Sequence, residues 1–231
     1  MYRDLSEPIN DDVHIEAPVK RGARRKPASQ KTFMKKPDYQ AVSEYARQRL
    51  KNELSPRLVY HSLAHTERDV LAAAERFAAY EGVQGEELLL LRTAVWFHDI
   101  GYVVQRANHE MISVDIAAAV LCDFGYSNEQ IAVIGDIILA TRLPQTPHTL
   151  LEQIIADADL DSLGREDFME RGENLRAEMA AFGTEVDDEE WLHEQIYFLE
   201  QHIYFTRAAR HLRSAGKQRN IRALQAMLAK R

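Results

Sequence analysis

Between Glu86 and Gly101 the chain reads EELLLLRTAVWFHDIG, which is apolar on nearly every side once wound at the helical period. A helix without a solvent face belongs at the centre of its fold, so the rest of the chain has to supply a shell around it. The neighbouring segments have the period that such a shell requires. Asp38 to about Leu54 puts Val42, Tyr45, Ala46 and Leu50 on one stripe before Pro56. His61 to Tyr80, closing at Gly82, carries Val70, Leu71, Ala74 and Phe77, and His109 to Phe124, closing at Gly125, carries Ile112, Ile116, Ala119 and Val120. Gly101 reads as the C-terminal cap of the central helix. Ser127 with Gln130 three residues on is a capping-box pattern, opening a helix through Ile131, Ile134, Ile137 and Ile138.

Pro144 and Pro147 mark a loop before a short helix that leads from Thr149 into DADLDSLG. Two longer amphipathic stretches follow: Arg165 to Phe182, and Asp187 past Arg210 with Leu192, Ile196, Leu199 and Ile203 as its stripe. A basic helix after Gly216 ends the chain. With 10 glycines and 7 prolines in 231 residues, there are few of the tight turns that strand-rich folds need. The expectation is an all-α protein: one multi-helix domain over residues 37–231, with no strand and no second core.

Charge and composition narrow the classes of function. The longest apolar runs, Ile116 to Cys122 and Leu88 to Leu91, are too short to span a bilayer, and the acid-bearing N-terminus does not read as a signal peptide. The single cysteine, Cys122, permits no internal disulfide, which suits a cytoplasmic protein. A net charge of −7 argues against a general nucleic-acid binder. Lys20 to Lys36, however, holds eight lysines or arginines and no acid, so residues 1–36 read as a disordered basic tail. That tail can contact nucleic acid or an anionic surface, although a solvated extension without a specific partner is the preferred reading.

The chemistry-bearing residues lie at the edges of the helices. YHSLAH puts His61 and His65 four apart, on one face if helical. WFHDIGY puts His98 and Asp99 at the end of the most apolar helix, and IIADADLDSLG sets Asp157, Asp159 and Asp161 among isoleucines and leucines. Any one of these histidines, taken alone, reads as a satisfied core residue. A carboxylate beside an imidazole at the end of a buried helix is harder to explain without a partner or a cation. Two imidazoles with two carboxylates form a mixed N/O set for a divalent metal, and the lack of cysteine ligands favours an open catalytic site over a closed structural one.

In order and setting, YHSLAHTERDV, FHDIGY and DADLDSLG resemble the opening histidine helix, the His-Asp doublet and the final aspartate of the HD superfamily of metal-dependent phosphohydrolases. NHEMIS is similar to a segment that follows the doublet in that superfamily. The resemblance covers about residues 58–165. It implies His65, His98, Asp99 and Asp159 as ligands of one divalent ion from among manganese, iron, cobalt, nickel, magnesium and zinc, with a second metal as the alternative. Residues two apart on a helix diverge by about 200°; Asp159 shares a face with Ile155 and Leu163 and is preferred, with Asp157 as the alternative. The resemblance further implies a metal-activated water that cleaves a phosphomonoester or phosphodiester, a nucleotide being the expected small substrate. Asp99 would orient the water, and His61, which matches a histidine of the cyclic-nucleotide phosphodiesterase branch, would protonate the leaving group. His109, Glu110, His148, Arg106 and Arg142 are expected to line the site. A di-iron oxygen-dependent relative and a non-catalytic nucleotide-sensing module are the alternatives.

Overall fold

A computed structural model of the protein describes residues 36–231, and all but the last residue of the basic tail lies outside that range. The described residues form α1 (Tyr39–Glu53), α2 (Leu71–Glu81), α3 (Gly85–Phe97), α4 (His109–Val120), α5 (Asn128–Leu139), α6 (Leu150–Asp159), α7 (Phe168–Ala181), α8 (Asp188–Gln201) and α9 (Arg207–Leu228). No strand occurs among them. The fold is all-α.

Helix α3 is central, as its composition requires. Leu90 through Phe97, Arg92 excepted, are buried, and α1, α2, α4, α5 and α6 pack around them. The stripes of those helices meet here, with Val42, Leu50, Phe77, Leu91, Phe97, Ile134, Ile138 and Ile154 in one core. Local signals hold where the chain obeys them. Asp38 caps α1, Gly82 and Gly125 end their segments in the left-handed conformation, and Ser127 and Gln130 make both hydrogen bonds of a capping box.

Four expectations are corrected. The late amphipathic stretch does not run unbroken past Arg210: α8 stops at Gln201 and α9 starts at Arg207. The cause is Asp157, which accepts hydrogen bonds from the backbone N–H groups of Phe205 and Thr206 and from the Thr206 hydroxyl, drawing the chain out of the helix. Gly216 opens no new helix but lies inside α9, where the backbone of Gly164 crosses so closely that a Cβ would stand 1.9 Å from the Gly164 carbonyl oxygen. Gly101 does not cap α3 in the left-handed conformation. It is small because α4 packs on it, a Cβ there meeting the His109 carbonyl at 2.0 Å. Finally, a second, smaller apolar cluster exists, built from Leu163, Phe168, Leu192, Leu199, Ile221 and Leu224 where α7, α8 and α9 meet. Among the described residues no helix is long and apolar enough to cross a membrane.

Candidate metal centre

Three chain segments meet at one point. His65 opens a π-helical turn, His65–Val70, that leads into α2. His98 is the residue at which α3 ends, and Asp99 follows it in a non-helical conformation. Asp159 is the last residue of α6. Two helix C-termini, each worth roughly half a negative charge, thus converge with two carboxylates. That combination is unfavourable unless something positive sits among them.

The donor atoms are correspondingly close. His65 Nε2 lies 3.1 Å from Asp159 Oδ1 and 3.8 Å from Asp99 Oδ2. His98 Nε2 lies 3.3 Å from Asp99 Oδ2 and 3.5 Å from Asp159 Oδ1. His65, His98 and Asp159 can each offer one donor within 4.8 Å of the others. An ion about 2.1 Å from each donor spaces neighbouring donors by about 3.0 Å at octahedral angles and about 3.4 Å at tetrahedral ones. The His98 Nδ1–H donates to the Val95 carbonyl at 2.7 Å, which turns Nε2 toward the cluster as the nitrogen that a cation would take in place of a proton. His98 Nε2 and Asp99 Oδ2 are buried with no hydrogen-bond partner among the described residues. A cation satisfies both, and the donor set fits one.

Electrostatics point the same way. Burial alone would push the His98 pKa down, but the field of Asp99 and contacts with Asp159 and Asp99 raise it well above the usual imidazole value. Burial would raise Asp99 and Asp159, yet the surrounding imidazoles hold both well below the usual carboxylate range. The pocket stabilises positive charge against its carboxylates.

A second layer adjoins this cluster. His61 does not share a helix with His65, as the four-residue spacing suggested, but sits in the bend before it, with the two rings 6.0 Å apart. Its Nδ1–H donates to Glu178 Oε1 at 2.6 Å, while the backbone N–H groups of Tyr60 and His61 donate to Glu178 Oε2 at 2.8 and 3.0 Å. Burial would lower the His61 pKa; the Glu178 hydrogen bond and the nearby carboxylates raise it. Tyr102 stacks on both His61 and His109, at 4.6 and 4.0 Å between ring centroids. His109 Nε2 comes to 3.5 Å from Asp99 Oδ1, and its Nδ1–H donates to the Arg106 carbonyl.

Residues 59–162 match the family model described as HD domain. Over that stretch the chain is similar to HD domains. The fold comparison agrees. A predicted HD superfamily hydrolase from an uncultured Thermotogales bacterium shares 19% identity over 84% of this chain and 93% of its own, at a TM-score of 0.57. A Lactobacillus plantarum protein shares 19% over 84% and 97%, at 0.60. Bacillus subtilis YpgQ, solved with ADP, shares 17% over 81% and 97%, at 0.57. At these identities the likeness concerns the fold. No curated protein matches the chain significantly.

Within residues 59–162 the structure brings together His61, His65, His98, Asp99, His109 and Asp159, and sets Glu110 beside His109, Oε2 lying 3.6 Å from its Nδ1. Asp157 faces away, spent on the start of α9. His148 and Arg142 do not join: both are exposed on the loop between α5 and α6, and what engages His148 is its backbone N–H, donating to Glu152. Arg106 turns its guanidinium onto Phe182 rather than into the cluster. Sequence reasoning missed Glu178, Tyr102 and Asp69. Asp69 lies one turn after His65, 3.9 Å from its Nδ1, and is held by Arg165 and Arg171. For Glu178 there was a signal: it occupies a stripe position on α7 between Phe168 and Phe182, where an apolar residue is the norm.

Proposed function

We propose that this protein is a metal-dependent phosphohydrolase that uses a water to cleave a phosphomonoester or phosphodiester of a small substrate, a nucleotide being the expected class. The observation that carries this is the pair of buried, unpartnered donors, His98 Nε2 and Asp99 Oδ2, among carboxylates at two helix C-termini. His65, His98, Asp99 and Asp159 would hold one divalent cation. Bound there, such an ion supplies Lewis acidity, acidifying water and neutralising charge on a phosphoryl oxygen.

The chain's own groups supply the rest. Asp99, with Oδ2 toward the two histidines and Oδ1 toward His109, is positioned to orient a water and accept its proton. His61, anchored through Nδ1 on the Glu178 carboxylate, keeps a proton on Nε2 for the leaving oxygen. Its side chain is 21% exposed, so a substrate atom can reach it. Tyr102 fixes the imidazole plane by stacking. A nucleotide substrate is in keeping with ADP in the YpgQ structure of the same fold.

The two faces of Asp99 also support a second reading, in which a further cation lies between Asp99 Oδ1 and His109 Nε2, 3.5 Å apart. Metal analysis of protein purified without chelator separates the two readings by stoichiometry, one ion per chain against two. The same preparation tests the proposal. His98→Ala and Asp99→Ala should each lose bound metal and metal-dependent phosphate release together, and either variant keeping both would remove the assignment.

A further inference from the structure

Among the described residues most arginines pair with carboxylates, as Arg47 does with Glu67, Arg165 and Arg171 with Asp69, and Arg213 with Asp161. Arg57 and Arg106 do not. Among the described residues neither is ion-paired; both lie against one phenyl ring, Phe182, with Cζ 4.0 and 4.3 Å from its centroid. Since the two distances share a point, the Cζ atoms are at most about 8 Å apart, close enough for one phosphate to meet both guanidinium forks. The Nε of Arg106 is buried and has no hydrogen-bond partner. Two like charges gathered on one ring repel each other, and an anion held by both relieves that repulsion.

The place of this pair in the fold gives it a use. Phe182 lies one turn beyond Glu178, and its N–H closes the end of α7 on the Glu178 and Met179 carbonyls, so the platform is fixed to the residue that anchors His61. Arg57 lies four residues before His61. Arg106 follows Tyr102, which stacks on His61, and its carbonyl accepts from His109. All three residues are therefore tethered to the His61 side of the centre, where the leaving group departs in the reading above. Stacking on Phe182 also restricts both arginine side chains beforehand, which lowers the entropy lost on binding.

We infer that Arg57, Phe182 and Arg106 form a clamp for a second phosphate of the substrate, carried on its leaving-group side. This rests on the hydrolase reading and narrows it: the substrate bears at least two phosphates, as a nucleoside di- or triphosphate or a bisphosphorylated ester does, and a substrate whose leaving group is uncharged is a poor one. Arg57 and Arg106 act by holding substrate. Phe182 is a positioning residue that acts through them.

The test is calorimetric titration of the metal-loaded protein with inorganic tripolyphosphate and, separately, inorganic phosphate, the divalent ion in excess over both. Wild type should bind tripolyphosphate at least about tenfold more tightly than phosphate. Arg57→Gln and Arg106→Gln should each weaken tripolyphosphate binding about tenfold or more, phosphate binding staying within about twofold. Arg57→Lys, which keeps the charge but loses the fork, should fall between, and bound metal and Tm measured on every variant guard against misfolding. Equal affinity for the two anions in wild type, or glutamine variants with wild-type tripolyphosphate affinity, overturns the clamp. Metal-dependent phosphate release by the wild type from nucleoside di- and triphosphates tests the hydrolase reading by turnover rather than by binding. Arginine-dependent tripolyphosphate binding without that turnover supports the clamp and sinks hydrolysis, whereas turnover without arginine dependence does the reverse.

Discussion

Glu178 gives the sharpest test of how the candidate site works. Its Oε2 takes two backbone N–H groups and its Oε1 takes the Nδ1–H of His61. In Glu178→Gln the amide oxygen can still serve Tyr60 and His61 N–H, so the bend before His65 keeps its shape. The amide NH2 then faces His61 Nδ1, and two donors cannot meet there, so the imidazole is restricted to its neutral form and loses its power to protonate a leaving oxygen. A hydrogen bond to a charged group is worth about 1.5–3 kcal/mol. At about 1.4 kcal/mol per tenfold, its loss from the reacting state should lower kcat about 10- to 100-fold. The alkaline limb of the kcat profile should also move to lower pH, because the carboxylate is what raises the His61 pKa against its burial. Glu178→Ala differs in kind: it strands two N–H groups and an imidazole, costing about 3 kcal/mol or more in stability. The assay is steady-state kinetics over a pH series, with metal content and Tm for both variants. Glu178→Gln with full metal content, unchanged kcat and an unmoved pH limb would refute His61 as the acid.

Two further outcomes follow from the buried polar groups. Asp157→Asn should lower stability by about 1–3 kcal/mol, since three donors at the start of α9 converge on that carboxylate, yet keep bound metal; Asp159→Asn should lose metal with little loss of stability, and metal analysis beside urea denaturation reads both. For His202, burial and then the charge of Lys217 depress the pKa to about 4. The folded pKa lies below the unfolded value of about 6.5, so this stability is complete above pH 6.5 and is lost as pH falls toward 4, up to about 2 kcal/mol of it between pH 7.5 and 5. Urea titrations at those two pH values should show that loss shrink in His202→Gln, and an equal loss in both proteins would rule out His202 as its source.

How much of this was readable before the structure depended on whether the information was local. The central position of α3 follows from its own composition, and the caps at Asp38, Gly82 and Ser127 follow from residues three or four positions away. The break between α8 and α9 does not, because the apolar stripe of 187–210 runs on regardless; its cause is a carboxylate 48 residues earlier in the chain. The cluster lay between these cases. His98 and Asp99 stood out because a charged pair ends an apolar helix, while the choice of Asp159 over Asp157 was a question of helix phase. The structure divides that pair by task, one carboxylate toward the histidines and the other pinning α9. Glu178 could not be placed at all: its partner His61 is 117 residues away, and only a glutamate in an apolar stripe hinted at it. Arg57, Phe182 and Arg106 are harder still, since none is unusual in its own segment and the two charges acquire meaning only when α7 brings one ring against both arginines. The local signals therefore mark residues that would hold a metal, whereas the groups that would choose a substrate and move a proton are joined across the core around α3 and the C-terminal helices. Exchanging α7 between proteins of this fold should accordingly change which substrate is accepted while leaving metal binding in place.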